Sequence, residues 1–124
     1  MNRFLFYSSL VYGILLCLLL SVYGGRVGIL EAVIVAGIFT SIWNHGTTNR
    51  VALVCDRAVM VLGFLLIAFL CVQNRYTLLL LLLLLSASFY CVAKTFGNDI
   101  WHLTGQTILV GLLVILVPLS IKLH

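Results

Sequence analysis

Five long apolar stretches separated by short polar breaks are the feature of this sequence that most restricts its fold. They cover residues 4–23, 27–43, 51–72, 76–93 and 100–121. A helix needs about 20 mostly apolar residues to cross the hydrocarbon core of a bilayer. The sequence therefore predicts an all-α integral membrane protein, in which residues 1–124 form a single domain, a compact bundle of about five transmembrane helices.

Charged residues are too scarce in this chain for a soluble domain. Hydrophobic residues occupy 64% of its 124 positions and charged residues only 8%, whereas about 25% of a typical soluble domain is charged. The net charge of +4 comes from seven lysines and arginines that stand singly near segment ends, where such side chains anchor helices at the lipid headgroups. We therefore expect membrane lipid as a partner of this chain and no nucleic acid.

The first apolar segment and the four cysteines both have ordinary structural interpretations. The first apolar segment is longer than the core of a signal peptide, which is about 7 to 15 residues, so we expect a retained first helix. The cysteines lack C-x-x-C spacing and lie within or beside apolar segments, which favours packing residues over a disulfide framework or a structural zinc site. They are Cys17, Cys55, Cys71 and Cys91.

Five spans place the two ends of the chain on opposite sides of a membrane. The N-terminal side then collects Arg3, Arg50, Arg57 and Lys94. The other side holds Arg26, Arg75 and Lys122. Because positive charge in loops favours the cytoplasmic face, this small excess predicts a cytoplasmic N-terminus.

Polar side chains are concentrated near the N-terminal side of the predicted bundle. The second segment ends in the run TSIWNH at residues 40–45, in which Ser41 and His45 are four residues apart and share a helix face. Asp56 lies in the second turn of the third segment, and His102 opens the fifth with Gln106 one turn deeper. Since polar groups inside a membrane are costly unless they serve a function, we expect these three helices to form a site.

The residue types of this cluster suit metal-assisted hydrolysis. Two imidazoles and a carboxylate are common ligands of zinc, and a catalytic zinc site has three protein ligands and one open position. A bound zinc ion makes hydroxide available near neutral pH for attack on an amide or ester. In such a site Asp56 would act as a base or orient the water, and Ser41 would donate a hydrogen bond to the oxyanion.

The same residues resemble the CREST superfamily of membrane hydrolases, which includes alkaline ceramidases and the progestin and adiponectin receptors. Ser41 and His45 match its SxxxH motif, Asp56 matches its aspartate, and His102 matches the second histidine of its final HxxxH motif. The resemblance implies a bundle of seven helices and a zinc ion held by three histidines. It also implies a zinc-dependent lipid amidase or esterase, with Ser41 and Asp56 as catalytic residues.

The sequence departs from that family in two respects. Asn98 stands where the first histidine of HxxxH is expected, so Asn98 or the adjacent Asp99 would join His45 and His102 as the remaining metal ligand. The chain also has five apolar segments instead of seven. The resemblance covers the second, third and last segments through motifs of few residues.

Structural interpretations of these residues remain open beside the functional one. His45 and His102 would then be interfacial histidines at helix ends, and Asn98 would cap a helix. Asp56 would pair with Arg50 or Arg57 at the headgroups. On this alternative the chain is a non-catalytic membrane protein whose polar cluster fastens the bundle or binds a partner.

Overall fold

The computed structural model describes residues 3–23 and 28–121. This part of the chain is helical apart from short connections and contains no strand. Its five helices are α1 (Arg3–Tyr23), α2 (Ile29–Gly46), α3 (Arg50–Gln73), α4 (Thr77–Phe96) and α5 (Asp99–Ile121). Each is long and apolar enough to cross a membrane, which confirms the prediction of five such helices. Arg26 and Lys122, which entered the prediction of orientation, lie outside the described residues.

The helix ends near the polar cluster are set by specific hydrogen bonds. The side chain of Asn49 accepts a hydrogen bond from the backbone N–H of Val51 at 2.8 Å and caps the start of α3. α2 extends beyond the predicted end at residue 43 to Gly46, so Asn44 and His45 lie in its last turn. α4 likewise continues beyond residue 93 to Phe96.

The connection between α4 and α5 explains the role of Asn98. Gly97 adopts a left-handed conformation with φ of 66°, and its N–H donates a hydrogen bond to the Ala93 carbonyl at 2.8 Å. The Asn98 side chain then accepts a hydrogen bond from the backbone N–H of Ile100 at 2.9 Å. This is the capping arrangement that the structural interpretation of Asn98 predicts.

The helices are arranged in a closed ring. The main contacts join each helix to the next one in sequence, and α5 packs back against α1. Leu112, Leu116 and Val117 of α5 are completely buried in the core. In the leucine run of α4, Leu79 and Leu83 face inward and most of the other leucines are exposed, because inward positions recur about every four residues in a helix.

A glycine allows α4 and α5 to approach closely. A Cβ atom at Gly105 would lie 3.0 Å from the backbone oxygen of Ser86. The Ser86 hydroxyl, which is fully buried, donates a hydrogen bond to the Gly105 carbonyl at 2.7 Å. Small residues at such a contact let the backbones meet, and this fixes the depth of α5 relative to α4.

Candidate functional site

Asp56 is the buried carboxylate of the polar cluster. Only 7% of its surface is exposed, and its Oδ2 accepts a hydrogen bond from Nδ2 of Asn44 at 2.9 Å. Thr40 also lies beside this carboxyl group, but the Thr40 hydroxyl donates to the Ala36 carbonyl at 2.8 Å. Asp56 is thus held by the last turns of α2.

The predicted pairing of Asp56 with a headgroup-level arginine is not observed. Within residues 3–23 and 28–121, Asp56 forms no ion pair with a lysine or arginine. Arg57 acts on it electrostatically from the next position in the sequence. The carboxyl group therefore lies inside the bundle beside Asn44 and Thr40, with no contacting lysine or arginine from this part of the chain.

The two histidines lie against each other at the same level. The ring centroids of His45 and His102 are 5.3 Å apart at an interplanar angle of 87°. Tyr90 of α4 meets the other side of this pair, with its ring centroid 4.8 Å from that of His102. Nδ1 of His102 is buried without a hydrogen-bond partner among the described residues. Asp56 and Asp99 both interact electrostatically with His45.

Ser41 belongs to a different part of the cluster. Its hydroxyl forms a hydrogen bond with the hydroxyl of Ser9 in α1, at 2.9 Å. Gln106 also meets α1, because its Oε1 accepts a hydrogen bond from the Ser8 hydroxyl at 3.1 Å. Ser41 therefore contacts the first helix, whereas His45 contacts His102 of the fifth.

The first helix contributes polar groups that the sequence analysis missed. Ser8 and Ser9 bond to Gln106 and Ser41 respectively, and the Tyr12 hydroxyl forms a hydrogen bond with the hydroxyl of Thr107. The sequence feature that could have revealed this polar face is the spacing of Ser8 and Tyr12, which are four residues apart and therefore share a helix face. Tyr90 was also missed as a member of the cluster, and Asn44, which lies in the polar run at residues 40–45, was given no role.

A central cavity lies directly beneath these groups. Its volume is about 130 Å³, and residues from all five helices line it. Its polar end is formed by Ser9, Tyr12, Ser41, Asp56, Tyr90 and Gln106. The remaining lining is apolar and reaches Ile67, which the helical rise places about 16 Å from Asp56 along α3. The central cavity is thus polar at one end and apolar along its depth.

The ligands of the predicted zinc site are only partly brought together. His45 and His102 are adjacent, but the described residues contain no group of three or more histidine, cysteine or carboxylate side chains arranged to hold a metal ion. Asn98 already uses its side-chain oxygen as a helix cap. The described arrangement therefore brings two of the predicted ligands together, and the assignment of Asn98 or Asp99 as the remaining ligand stays a prediction.

The fold and the site together describe a helical protein of the multi-pass membrane type. Its described residues form a ring of five helices, each long and apolar enough to span a membrane, around a cavity that is polar at one end. Comparisons with protein-family models, with curated proteins and with solved structures gave no match to this chain. The resemblance to the CREST superfamily remains a prediction carried by Ser41, His45, Asp56 and His102.

Proposed function

We propose that this chain is a multi-pass membrane protein that binds a single-chain amphiphile in its central cavity. The observation that carries the proposal is the distribution of polarity in that cavity, which is apolar along its depth and polar at one end. An amphiphile has the same distribution along its length. Ligand sites in proteins are commonly apolar cavities with a few convergent polar groups that fix the orientation of the ligand.

The size of the central cavity supports one alkyl chain as the occupant. An engineered apolar cavity of about 150 Å³ accommodates benzene, and the volume here is similar, at about 130 Å³. The bundle also gains from the ligand, because the atoms that line a void lack dispersion contacts on one side.

The proposal predicts that filling the cavity weakens binding. A Cβ atom at Gly37 would meet only Cγ1 of Val59, at 3.9 Å, which is an ordinary contact. Because Gly37 lines the cavity, the larger side chain in Gly37→Leu enters the space of the alkyl chain. We expect at least a tenfold loss of affinity for octanol, about 1.4 kcal/mol. The measurement is photolabelling in nanodiscs with a diazirine analogue of octanol, competed by unlabelled octanol.

The matched control is Gly111→Leu. A Cβ atom at Gly111 meets nothing within 4 Å, so this variant adds the same side chain outside the central cavity and should keep the wild-type competition curve. Mass spectrometry of the labelled peptides should place the label on cavity-lining residues such as Phe64 and Val110. Equal labelling of both variants, or label confined to exposed residues, would contradict the proposal.

Metal-dependent hydrolysis of a lipid amide or ester is the second candidate. It is favoured by the contact between His45 and His102 and by the unpartnered Nδ1 of His102. A third ligand would have to come from Asp56 or Asp99, which both interact electrostatically with His45. On this hypothesis, protein purified without chelators contains about one zinc ion per chain, and His45→Ala loses it. Mass-spectrometric metal analysis of both proteins tests this, and a metal-free wild type would contradict it.

A further inference from the structure

We propose that the amphiphile in the central cavity carries a positively charged amino group, and that Asp56 binds this group. The inference rests on the proposed function, because it concerns the chemistry of the same ligand. Its basis is the charge of the cavity lining. Asp56 supplies a carboxylate, and no lysine or arginine is among the residues that line the described cavity.

The carboxyl group of Asp56 has hydrogen-bonding capacity left over. A carboxylate has about four acceptor positions. Asn44 fills one of them at Oδ2, and the adjacent Thr40 hydroxyl, which has a single proton, can fill at most one more. Asp56 is 7% exposed, so bulk solvent has little access to it outside the cavity. A buried charge is costly unless it is paired and hydrogen-bonded. A cation in the cavity would compensate this cost.

The neighbouring groups of the polar end also suit an ammonium ion. An ammonium has three N–H donors and no acceptor, so it requires several oxygen atoms on one side. Ser41 and Tyr90 carry hydroxyl oxygens in the same lining as Asp56. An alcohol offers a single donor, and a sulfate or phosphate offers only negative charge toward the carboxylate. The lining therefore favours an amine over an alcohol and an alcohol over an anion.

The experiment compares three competitors of one chain length in the photolabelling assay, namely octylamine, octanol and octyl sulfate. Octylamine is protonated at neutral pH, since alkylamines such as the lysine side chain titrate near pH 10.4. We expect octylamine to compete at least tenfold better than octanol on the wild-type protein, and octyl sulfate to compete worse than octanol. In Asp56→Asn the preference for octylamine over octanol should fall at least tenfold.

Comparing the wild type with Asp56→Asn removes the different partitioning of the three compounds into lipid, which is common to both proteins. Octanol competition in the variant reports whether its cavity is intact, because asparagine has nearly the shape of aspartate. Should the variant fail to fold, the order of the three competitors on the wild type decides the matter. Equal competition by octylamine and octanol, or an unchanged preference in Asp56→Asn, would overturn this inference and leave amphiphile binding standing. Absence of saturable competition by any of the three would overturn the proposed function itself.

Discussion

Replacing Asn44 by leucine is expected to destabilise the bundle by about 1.5 to 3 kcal/mol. The Asn44 side chain donates the hydrogen bond to Oδ2 of Asp56, at 2.9 Å, and Asp56 is almost completely buried. Leucine removes the donor and leaves a charged acceptor without its described partner. Hydrogen bonds to charged groups are the costly ones to lose. The free energy of unfolding in detergent, from denaturant titration, measures the effect.

Three further variants separate this effect from a general loss of packing. Asn74→Leu is the matched control, because the Asn74 side chain donates to a neutral backbone carbonyl, that of Leu70, at 2.8 Å. Its loss should cost only about 0.5 to 1.5 kcal/mol. The double variant Asn44→Leu/Asp56→Leu should be more stable than Asn44→Leu, because both partners are then apolar. If the costs of Asn44→Leu alone and of Asp56→Leu alone simply add in the double variant, Asn44 and Asp56 do not form a coupled pair.

The five helices were predictable because a membrane restricts the available structures so strongly. Backbone groups without water must bond within their own segment, so an apolar run of sufficient length is a helix. The end of α2 was less predictable. Asn44 and His45 resemble a polar break, yet the helix continues to Gly46, and the Thr47 hydroxyl donates to the Trp43 carbonyl at 2.8 Å across this last turn.

The sequence predicted the depth of the candidate-site residues in the bundle, but it did not predict which residues they contact. Counting spans placed Ser41, His45, Asp56 and His102 at one depth. The four-residue spacing of Ser41 and His45 gives them a common helix face, but it does not say which helix each side chain meets. In the structure Ser41 bonds to Ser9, whereas His45 contacts His102. These contact partners depend on which helices are neighbours in the bundle, and no local sequence pattern specifies which helices are neighbours.

The contribution of α1 was hidden for a different reason. A serine within an apolar helix can satisfy its hydroxyl by donating to a backbone carbonyl one turn earlier, so Ser8 and Ser9 carry little information in the sequence. Ser8 does donate to the Leu5 carbonyl, at 2.9 Å, and also to Gln106. The second of these bonds becomes visible only when α5 packs against α1. The central cavity is likewise a property of the closed ring and of no single segment.

The close approach of α4 and α5 at Gly105 gives the larger of the two expected effects on stability. Gly105→Val should destabilise the protein by about 2 to 4 kcal/mol, the sum of overpacking and one lost buried hydrogen bond. The new Cβ atom would lie 3.0 Å from the Ser86 backbone oxygen and 3.3 Å from side-chain atoms of Phe89 and Tyr90. α4 and α5 must then separate, which breaks the bond from the Ser86 hydroxyl to the Gly105 carbonyl. Denaturant titration in detergent measures the change.

Gly111→Val is the matched control on the same helix. A Cβ atom there meets nothing within 4 Å, so valine at this position should change the free energy of unfolding by no more than about 0.5 kcal/mol. Equal costs at the two glycines would mean that α4 and α5 do not approach closely at Gly105. A large cost at Gly105 alone would show that this contact sets the depth of α5 relative to α4. The same contact would then set the positions of Tyr90 on α4 and Gln106 on α5, which both lie at the polar end of the central cavity.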